Sequence, residues 1–237
     1  MATEALYQQD AYLQETPAVV TAVSEAGIEL DRSVFYPRGG GQAGDSGVLM
    51  RADGSEIIID NTIRQKGEPQ SILHVPAGDA ALPAVGEAVS VRLDWERRYR
   101  HMRIHTCLHV LSCVVVAPVT GGNISAEKGR LDFDIEMSQL DAARIEAGVN
   151  ELISKAVDTE TVWITDEELD AQPELVKTMS VQPPRGAGRV RLLKIDGIDL
   201  QPCGGTHVRN TREIGPVKVL KIRSEGKRNK RVEIGLV

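Results

Sequence analysis

The sequence predicts an α+β protein: a small N-terminal β-barrel domain followed by an α+β domain whose helices pack on an antiparallel sheet. The first 92 or so residues form short apolar or alternating runs, separated by turn residues such as Asp53-Gly54 and Lys66-Gly67. From Trp95 to about Val116 the chain has neither Gly nor Pro and shows helical periodicity. Strand-like segments then return. We therefore expect two domains, at 1–92 and 93–237.

The N-terminal part contains five strand-like segments. Each is short, apolar or alternating, and bounded by Gly, Pro or Asp; they read AVVTAVSEAGIELD, SVFYP, GVLMRADGSEIIID, SILHVPAG and AVSVRLD. Regularly spaced short strands with tight turns are typical of a small barrel or sandwich.

The C-terminal part opens with the helix from Trp95. A second helix is predicted at about 139–157, where Ser138 followed by Asp141 resembles a capping box. VWIT indicates a strand, and EELDAQPELVKT a short helical or irregular piece. RVRLLKIDGIDLQPCGGTHV predicts a strand, an Asp-Gly turn and a second strand. The last segment, GPVKVLKIRSEGKRNKRVEIGLV, predicts a closing hairpin.

Composition limits the classes of function. Hydrophobic residues make up 41% of the 237 residues and aromatic residues only 3%, so the core must be aliphatic. The net charge of −6 argues against indiscriminate nucleic-acid binding, although it allows a local basic patch. No apolar run approaches a membrane span, and the N-terminus does not resemble a secretory signal. With three cysteines, we expect a reducing compartment, the cytoplasm.

Two pairs of side chains predict a metal site. His105 and His109 are four residues apart, so they project from one face of the predicted helix. Cys203 and His207 lie 98 residues after them and follow two strand-like runs. Together the four supply the mixed nitrogen and sulfur ligands that zinc prefers.

The helical pair has a competitor. His101, His105, His109 and Cys113 all follow at a spacing of four, and one ion cannot bind all of them. The pair His101–His105 is geometrically as good as His105–His109, so spacing alone does not decide. A zinc-protease mechanism is excluded, because it needs Glu directly after the first His and this position holds Thr106.

The paired motifs His105-Thr-Cys-Leu-His109 and Cys203-Gly-Gly-Thr-His207 resemble those of alanyl-tRNA editing domains. Four further stretches are similar to the family in the same order: SVFYPRGGGQAGDSG at 33–47, LDWERRYRHMRIH at 93–105, EKGRLDFD at 127–134 and the closing SEGKRNKRVEIGL. The resemblance covers nearly the whole chain, which lacks the aminoacylation and tRNA-recognition parts of a synthetase. It therefore resembles the free-standing AlaX type that keeps the N-terminal β domain.

This resemblance implies one Zn²⁺ per chain, held by His105, His109, Cys203 and His207. The implied reaction is hydrolysis of the ester between a wrong amino acid, serine or glycine, and the acceptor end of tRNA(Ala). A closed set of four ligands leaves no position for water, so either one ligand such as His207 is loosely held or zinc places the substrate.

Three other residues are singled out near these motifs. Gln42 ends the run Gly39-Gly40-Gly41-Gln42 and resembles a family residue at the editing pocket, so it is predicted to contact the substrate or the attacking water. Thr106 is a second candidate for catalysis, although a Thr within a helix usually bonds back to a backbone carbonyl. Cys107 departs from the small non-thiol residue that is more common in the family, and we expect it to be buried and inert.

Basic residues near both motifs predict contact with RNA. The stretch VKVLKIRSEGKRNKR of the closing hairpin has one internal acid, Glu225, against seven basic residues, and ERRYRHMR beside the metal helix adds Arg97, Arg98, Arg100 and Arg103. The predicted RNA-binding residues are Arg97, Arg98, Lys218, Lys221, Arg223, Lys227, Arg228, Lys230 and Arg231. Two alternatives stay open: a threonyl-type editing activity, and an RNA-binding module with structural zinc and no hydrolase activity.

Overall fold

A computed structural model describes residues 2–78, 81–178 and 188–237. The chain divides into two compact units, Met1–Tyr99 and Arg100–Val237. The predicted domains, 1–92 and 93–237, remain a prediction, because these units are defined by packing alone. Within the described ranges, no helix is both long and apolar enough to cross a membrane.

The first unit contains a closed barrel of six strands in the order β2-β3-β7-β6-β5-β8, which confirms the predicted barrel. Two very short strands, β1 and β4, pair in parallel outside it. The strand bounds are β1 Glu4–Ala5, β2 Glu15–Ser24, β3 Gly27–Leu30, β4 Arg32–Ser33, β5 Gly47–Arg51, β6 Glu56–Gln65, β7 Glu68–Pro76 and β8 Ala88–Leu93.

The barrel interior is aliphatic, as the composition predicted. Ile28, Leu49, Ile59 and Val91 are fully buried in one cluster, because alternate residues of each strand point inward. The prediction that SVFYP is a strand is wrong: only its first residue belongs to a strand, and residues 34–37 are irregular. Its apolar residues are buried without being in a ladder, which a hydrophobic run in the sequence cannot reveal.

Over its described residues, the second unit contains two antiparallel sheets and three α-helices. One sheet has the order β14-β15-β10-β9 and the other the order β11-β12-β13. The element bounds are α1 Trp95–Val114, which begins in the first unit, β9 Val119–Ile124, β10 Lys128–Asp134, α2 Ala142–Ser154, β11 Thr159–Ile164, α3 Asp166–Asp170, β12 Val190–Ile195, β13 Asp199–Pro202, β14 Val217–Ser224 and β15 Asn229–Leu236.

Helix α1 is buried on nearly every side over residues 101–112. On one side it packs against β10, where a Cβ on Gly129 would lie 2.5 Å from Ile104 Cγ2. On another side His109 contacts Asp199 on β13. The helix therefore presents its His residues to the three-stranded sheet.

Two predictions for this unit need correction. Helix α2 begins at Ala142, and its N-cap is Asp141, whose side chain accepts a hydrogen bond from Arg144 N at 2.7 Å. Ser138 lies in a separate short 3₁₀ turn, so it is not the cap. Strands β9 and β10 were not predicted, because β9 carries two glycines and β10 mixes charges with its apolar residues. The two predicted hairpins, β12–β13 and β14–β15, are confirmed.

Candidate metal centre

The structure brings His105, His109, Cys203 and His207 together. One potential ligand atom from each lies within 4.8 Å of all the others. Cys203 Sγ is 3.5 Å from His105 Nε2 and 3.1 Å from His207 Nε2. Zinc ligands lie about 2.1 Å (N) and 2.3 Å (S) from the ion, so tetrahedral ligand atoms are about 3.4–3.7 Å apart. The cluster is close to these separations and fits such an ion.

Of the two histidine pairs that spacing allowed, the cluster contains His105–His109. Their ring centroids are 5.3 Å apart, and the His207 ring lies 4.3 Å from His105 and 5.0 Å from His109. His101 is buried one turn earlier and is not part of the cluster. Cys113 lies one turn later, with its thiol 3.6 Å from Lys177 Nζ.

Asp199 orients His109. Its Oδ2 lies 3.0 Å from His109 Nδ1, so this nitrogen carries the proton and Nε2 is left for the cluster. Lys177 Nζ and Gln201 Nε2 each donate to Asp199 at 2.6 Å. Burial disfavours the carboxylate, but these three donors outweigh it and lower the pKa of Asp199 to about 2.

Thr106 contacts and orients His207, and its predicted role in catalysis stays a prediction. Its hydroxyl donates to Met102 O at 2.9 Å and accepts from Val208 N at 3.2 Å. A hydroxyl has one donor and two acceptor sites, so its 3.2 Å contact with His207 Nδ1 must be accepted from that nitrogen. His207 therefore also presents Nε2 to the cluster.

Burial and contacts within the cluster shift the pKa values of Cys203, His109 and His207. Burial opposes ionisation of the Cys203 thiol, but the surrounding imidazoles outweigh it and lower the pKa of Cys203 well below its usual value. Burial also opposes charge on His109, yet the Cys203 thiolate and Asp199 outweigh it and raise the pKa of His109 to about 9. Burial lowers the pKa of His207 to about 3. A metal ion requires the thiolate form of Cys203, and its binding would displace the proton that the raised pKa keeps on His109.

Arg191 fixes the loop that carries two of the donors. Its Nη1 donates to Cys203 O at 2.8 Å and to Gly205 O at 2.9 Å, and its Nη2 donates to Thr161 Oγ1 at 3.0 Å. The guanidinium matches this arrangement because its donors form a rigid fork. The loop is thereby tied to β11 and β12.

The glycine-rich motif forms a tight turn in the first unit. Gly39 and Gln42 exchange backbone hydrogen bonds of 3.1 and 2.9 Å. Gly40 and Gly41 have φ of 55° and 84°, left-handed values that favour glycine. Gln42 is fully buried. Its contact with a substrate stays a prediction.

Arg98 is a correction to the predicted RNA-binding set. Its guanidinium is fully buried, paired with Asp45, and donates to Val34 O at 2.7 Å and Ala11 O at 2.9 Å. It holds the glycine-rich segment in place and is not available to a phosphate. Arg97 is partly buried and donates to Gly44 O at 2.7 Å.

The closing hairpin carries less free positive charge than its sequence suggested. Lys230 is buried, and Arg231 pairs with Asp132 on β10 at 2.7 Å. Arg223 pairs with Glu225, and Arg228 with Asp134. Among the described residues, no ion pair involves the three exposed lysines of this hairpin, Lys218, Lys221 and Lys227.

Sequence reasoning missed the residues that support the ligands. Asp199, Gln201 and Cys203 alternate along one predicted strand, so they share a face, and this signal was available. Lys177 and Arg191 gave no comparable signal, because their partners are distant in sequence. Cys107 is fully buried, as expected, and burial raises the pKa of its thiol.

Comparisons with known proteins give related families for both the N-terminal and the C-terminal part of the chain. The threonyl and alanyl tRNA synthetase second additional domain matches residues 190–233, and the class II (A) tRNA synthetase family matches residues 4–97. The alanyl-tRNA editing protein AlaX-M of Methanosarcina barkeri is 35% identical, with 99% of both chains covered. AlaX-M of Saccharolobus solfataricus is 36% identical, with 97% of both covered. The alanine–tRNA ligase of Korarchaeum cryptofilum is 37% identical over 93% of this chain and 25% of the ligase. The chain therefore belongs to the AlaX family of alanyl-tRNA editing proteins.

Proposed function

We propose that this protein hydrolyses the ester that links a wrong amino acid to tRNA(Ala), acting as a separate editing enzyme. The observation that carries the proposal is the buried cluster of three imidazoles and one thiol, in a chain that matches alanyl-tRNA editing proteins from end to end. We further propose that serine or glycine is the amino acid removed.

We propose zinc as the ion of this site, one per chain, because the ligand set is His₃Cys. A bound zinc ion would supply Lewis acidity and a fixed anchor for a polar substrate group. The chain's own groups prepare the site. Asp199 holds the proton on His109 Nδ1, Thr106 accepts the one on His207 Nδ1, and Arg191 holds the Cys203 loop.

Discrimination between serine and alanine requires a polar contact with the serine hydroxyl. A site built to hydrogen-bond a hydroxyl leaves its polar groups unpaired when alanine enters, which disfavours the correct product. We propose Gln42 for this contact or for holding the attacking water. Its burial at the end of a tight glycine turn fits a fixed polar group.

The acceptor end of the tRNA would be held mainly through phosphates. Lys218, Lys221 and Lys227 are the exposed basic residues of the closing hairpin without an ion pair among the described residues, and we propose them as the main phosphate contacts. Arg223, Arg228 and Arg231 already pair with carboxylates, so their contribution would require exchange of partners.

Serine release from seryl-tRNA(Ala) tests the proposal, with alanyl-tRNA(Ala) as the matched substrate. We expect the wild type to release serine and spare alanine, and Cys203→Ala to lose the activity. Cys107→Ala is the control, because this thiol is buried outside the cluster. No release from either tRNA by a folded, zinc-loaded protein would contradict the proposal and favour an RNA-binding module with structural zinc.

A further inference from the structure

One aromatic side chain is exposed, whereas the other aromatic side chains are buried or partly buried. The chain has two Trp, four Tyr and two Phe residues, all within the described ranges. Among these eight, only Trp163 is exposed. Its exposed fraction is 46%. In a protein with so few aromatic residues, leaving an indole in water loses a large apolar contribution to the core.

Trp163 lies in one cross-strand row with the metal loop. On the three-stranded sheet, Trp163 of β11 pairs with Arg191 of β12. The next strand continues this row, because Cys203 N donates to Arg191 O at 3.0 Å and extends the register in which Leu192 pairs with Pro202. Directly paired residues share a face, so the three side chains lie on the same side of the sheet. Two strand spacings separate Trp163 from Cys203, about 10 Å between Cα atoms.

The face of the sheet that carries this row is the face of the site. Asp199 and Gln201 alternate with Cys203 along β13 and contact His109 and Ser112 of α1. On the opposite face, Val190 and Leu192 pack against Leu169 of α3. Trp163 therefore lies on the same face of the sheet as Cys203 of the metal cluster.

We propose that Trp163 is the stacking platform for the 3′-terminal base of the tRNA whose ester reaches the cluster. This inference rests on the proposed function. In the terminal nucleotide, one ribose separates the ester from the base. This separation suits a stacking platform whose Cα lies about 10 Å from the Cα of the metal ligand Cys203. An indole stacks on any base, and the partly exposed Arg191 guanidinium between the platform and the loop adds positive charge for the adjoining phosphate.

Kinetics with seryl-tRNA(Ala) test the platform. Trp163→Ala should raise KM about tenfold to a hundredfold. Trp163→Phe should keep most of the affinity, since a phenyl ring also stacks. Glu160→Ala is the matched control, because it lies exposed on the opposite face of the same strand. Zinc content and the circular dichroism spectrum establish that each variant is folded.

Fluorescence gives a second readout that does not need catalysis. In a Trp95→Phe background, Trp163 is the remaining indole. We expect a single-stranded RNA ending in CCA to quench its emission, and the same RNA without the terminal adenosine to bind about tenfold more weakly.

The outcomes separate the two proposals. If the wild type releases serine but Trp163→Ala has an unchanged KM, the platform is wrong and the editing function stands. If the wild type releases no serine, the editing function is wrong, and the fluorescence comparison alone decides the platform. Equal quenching by the two RNAs would overturn it.

Discussion

At the scale of single residues, two of the three histidines of the candidate centre are oriented by what their far nitrogen contacts. Asp199 accepts from His109 and Thr106 accepts from His207, so both rings turn Nε2 to the same point. Spacing in the sequence left two histidine pairs open, and the family resemblance implied the four ligands. Neither could predict that Thr106 orients His207, because the partner that uses its hydroxyl is 101 residues away.

Removing the charge of Asp199 should weaken metal binding. Asp199→Asn keeps an oxygen for His109 Nδ1 but loses the carboxylate that Lys177 and Gln201 also contact. We expect zinc affinity to fall about tenfold to a hundredfold, measured by competition with a chelator. Asp196→Asn is the control, because that carboxylate lies 71% exposed in the adjoining turn. Equal affinities for both variants would refute the orienting role of Asp199.

His74 should make the barrel sensitive to acid. It is fully buried against Ser33 and Ile28 O, and burial lowers its pKa from 6.5 to about 4. Below pH 6.5 the unfolded chain therefore binds a proton at His74, whereas the folded barrel keeps this ring neutral. Stability is complete above pH 6.5 and falls by about 3 kcal/mol as the pH drops toward 4.

The measurement is the free energy of unfolding from pH 7 to 4, for the wild type and His74→Gln. The variant lacks the titrating ring, so its stability should fall less over this range. Parallel curves for the two proteins would show that His74 does not titrate on unfolding.

At the scale of elements, the sequence predicted what local pattern determines. Period-two runs and tight turns indicated the barrel and both hairpins, and the absence of Gly and Pro indicated α1. Strands β9 and β10 were not predicted because their pattern is weak. The place of β10 follows from its pairing with β15, and that of β9 from its pairing with β10. The same pairing brings Asp132 beside Arg231, so the basic hairpin looked more basic in sequence than it is in structure.

Arg98 ties the glycine-rich segment to the start of α1, and its loss should be costly. Arg98→Lys cannot reach Asp45, Val34 O and Ala11 O at once, because an ammonium lacks the planar fork. We expect the free energy of unfolding to fall by about 3–5 kcal/mol, measured with urea. Arg92→Lys, at an ion pair that is 48% exposed, should change it by less than about 1 kcal/mol. A similar small change at Arg98 would contradict its anchoring role.

At the scale of the whole molecule, family membership and the cluster support the same function from different directions. The relatives match both ends of the chain, and the four donors come from segments 98 residues apart in sequence. The family resemblance was readable from motifs alone, because they are specific in combination. The contacts that support the ligands could be identified only from the structure, because the residues that make them are distant in sequence.

The most direct test of the central claim is the rate of serine release from seryl-tRNA(Ala) as zinc is returned to chelator-treated protein. The rate should rise in proportion to bound zinc and level off at one equivalent, and it should stay near zero throughout for Cys203→Ala. Full activity in the metal-free protein, or saturation by zinc with no serine released, would contradict a zinc-dependent editing site at His105, His109, Cys203 and His207.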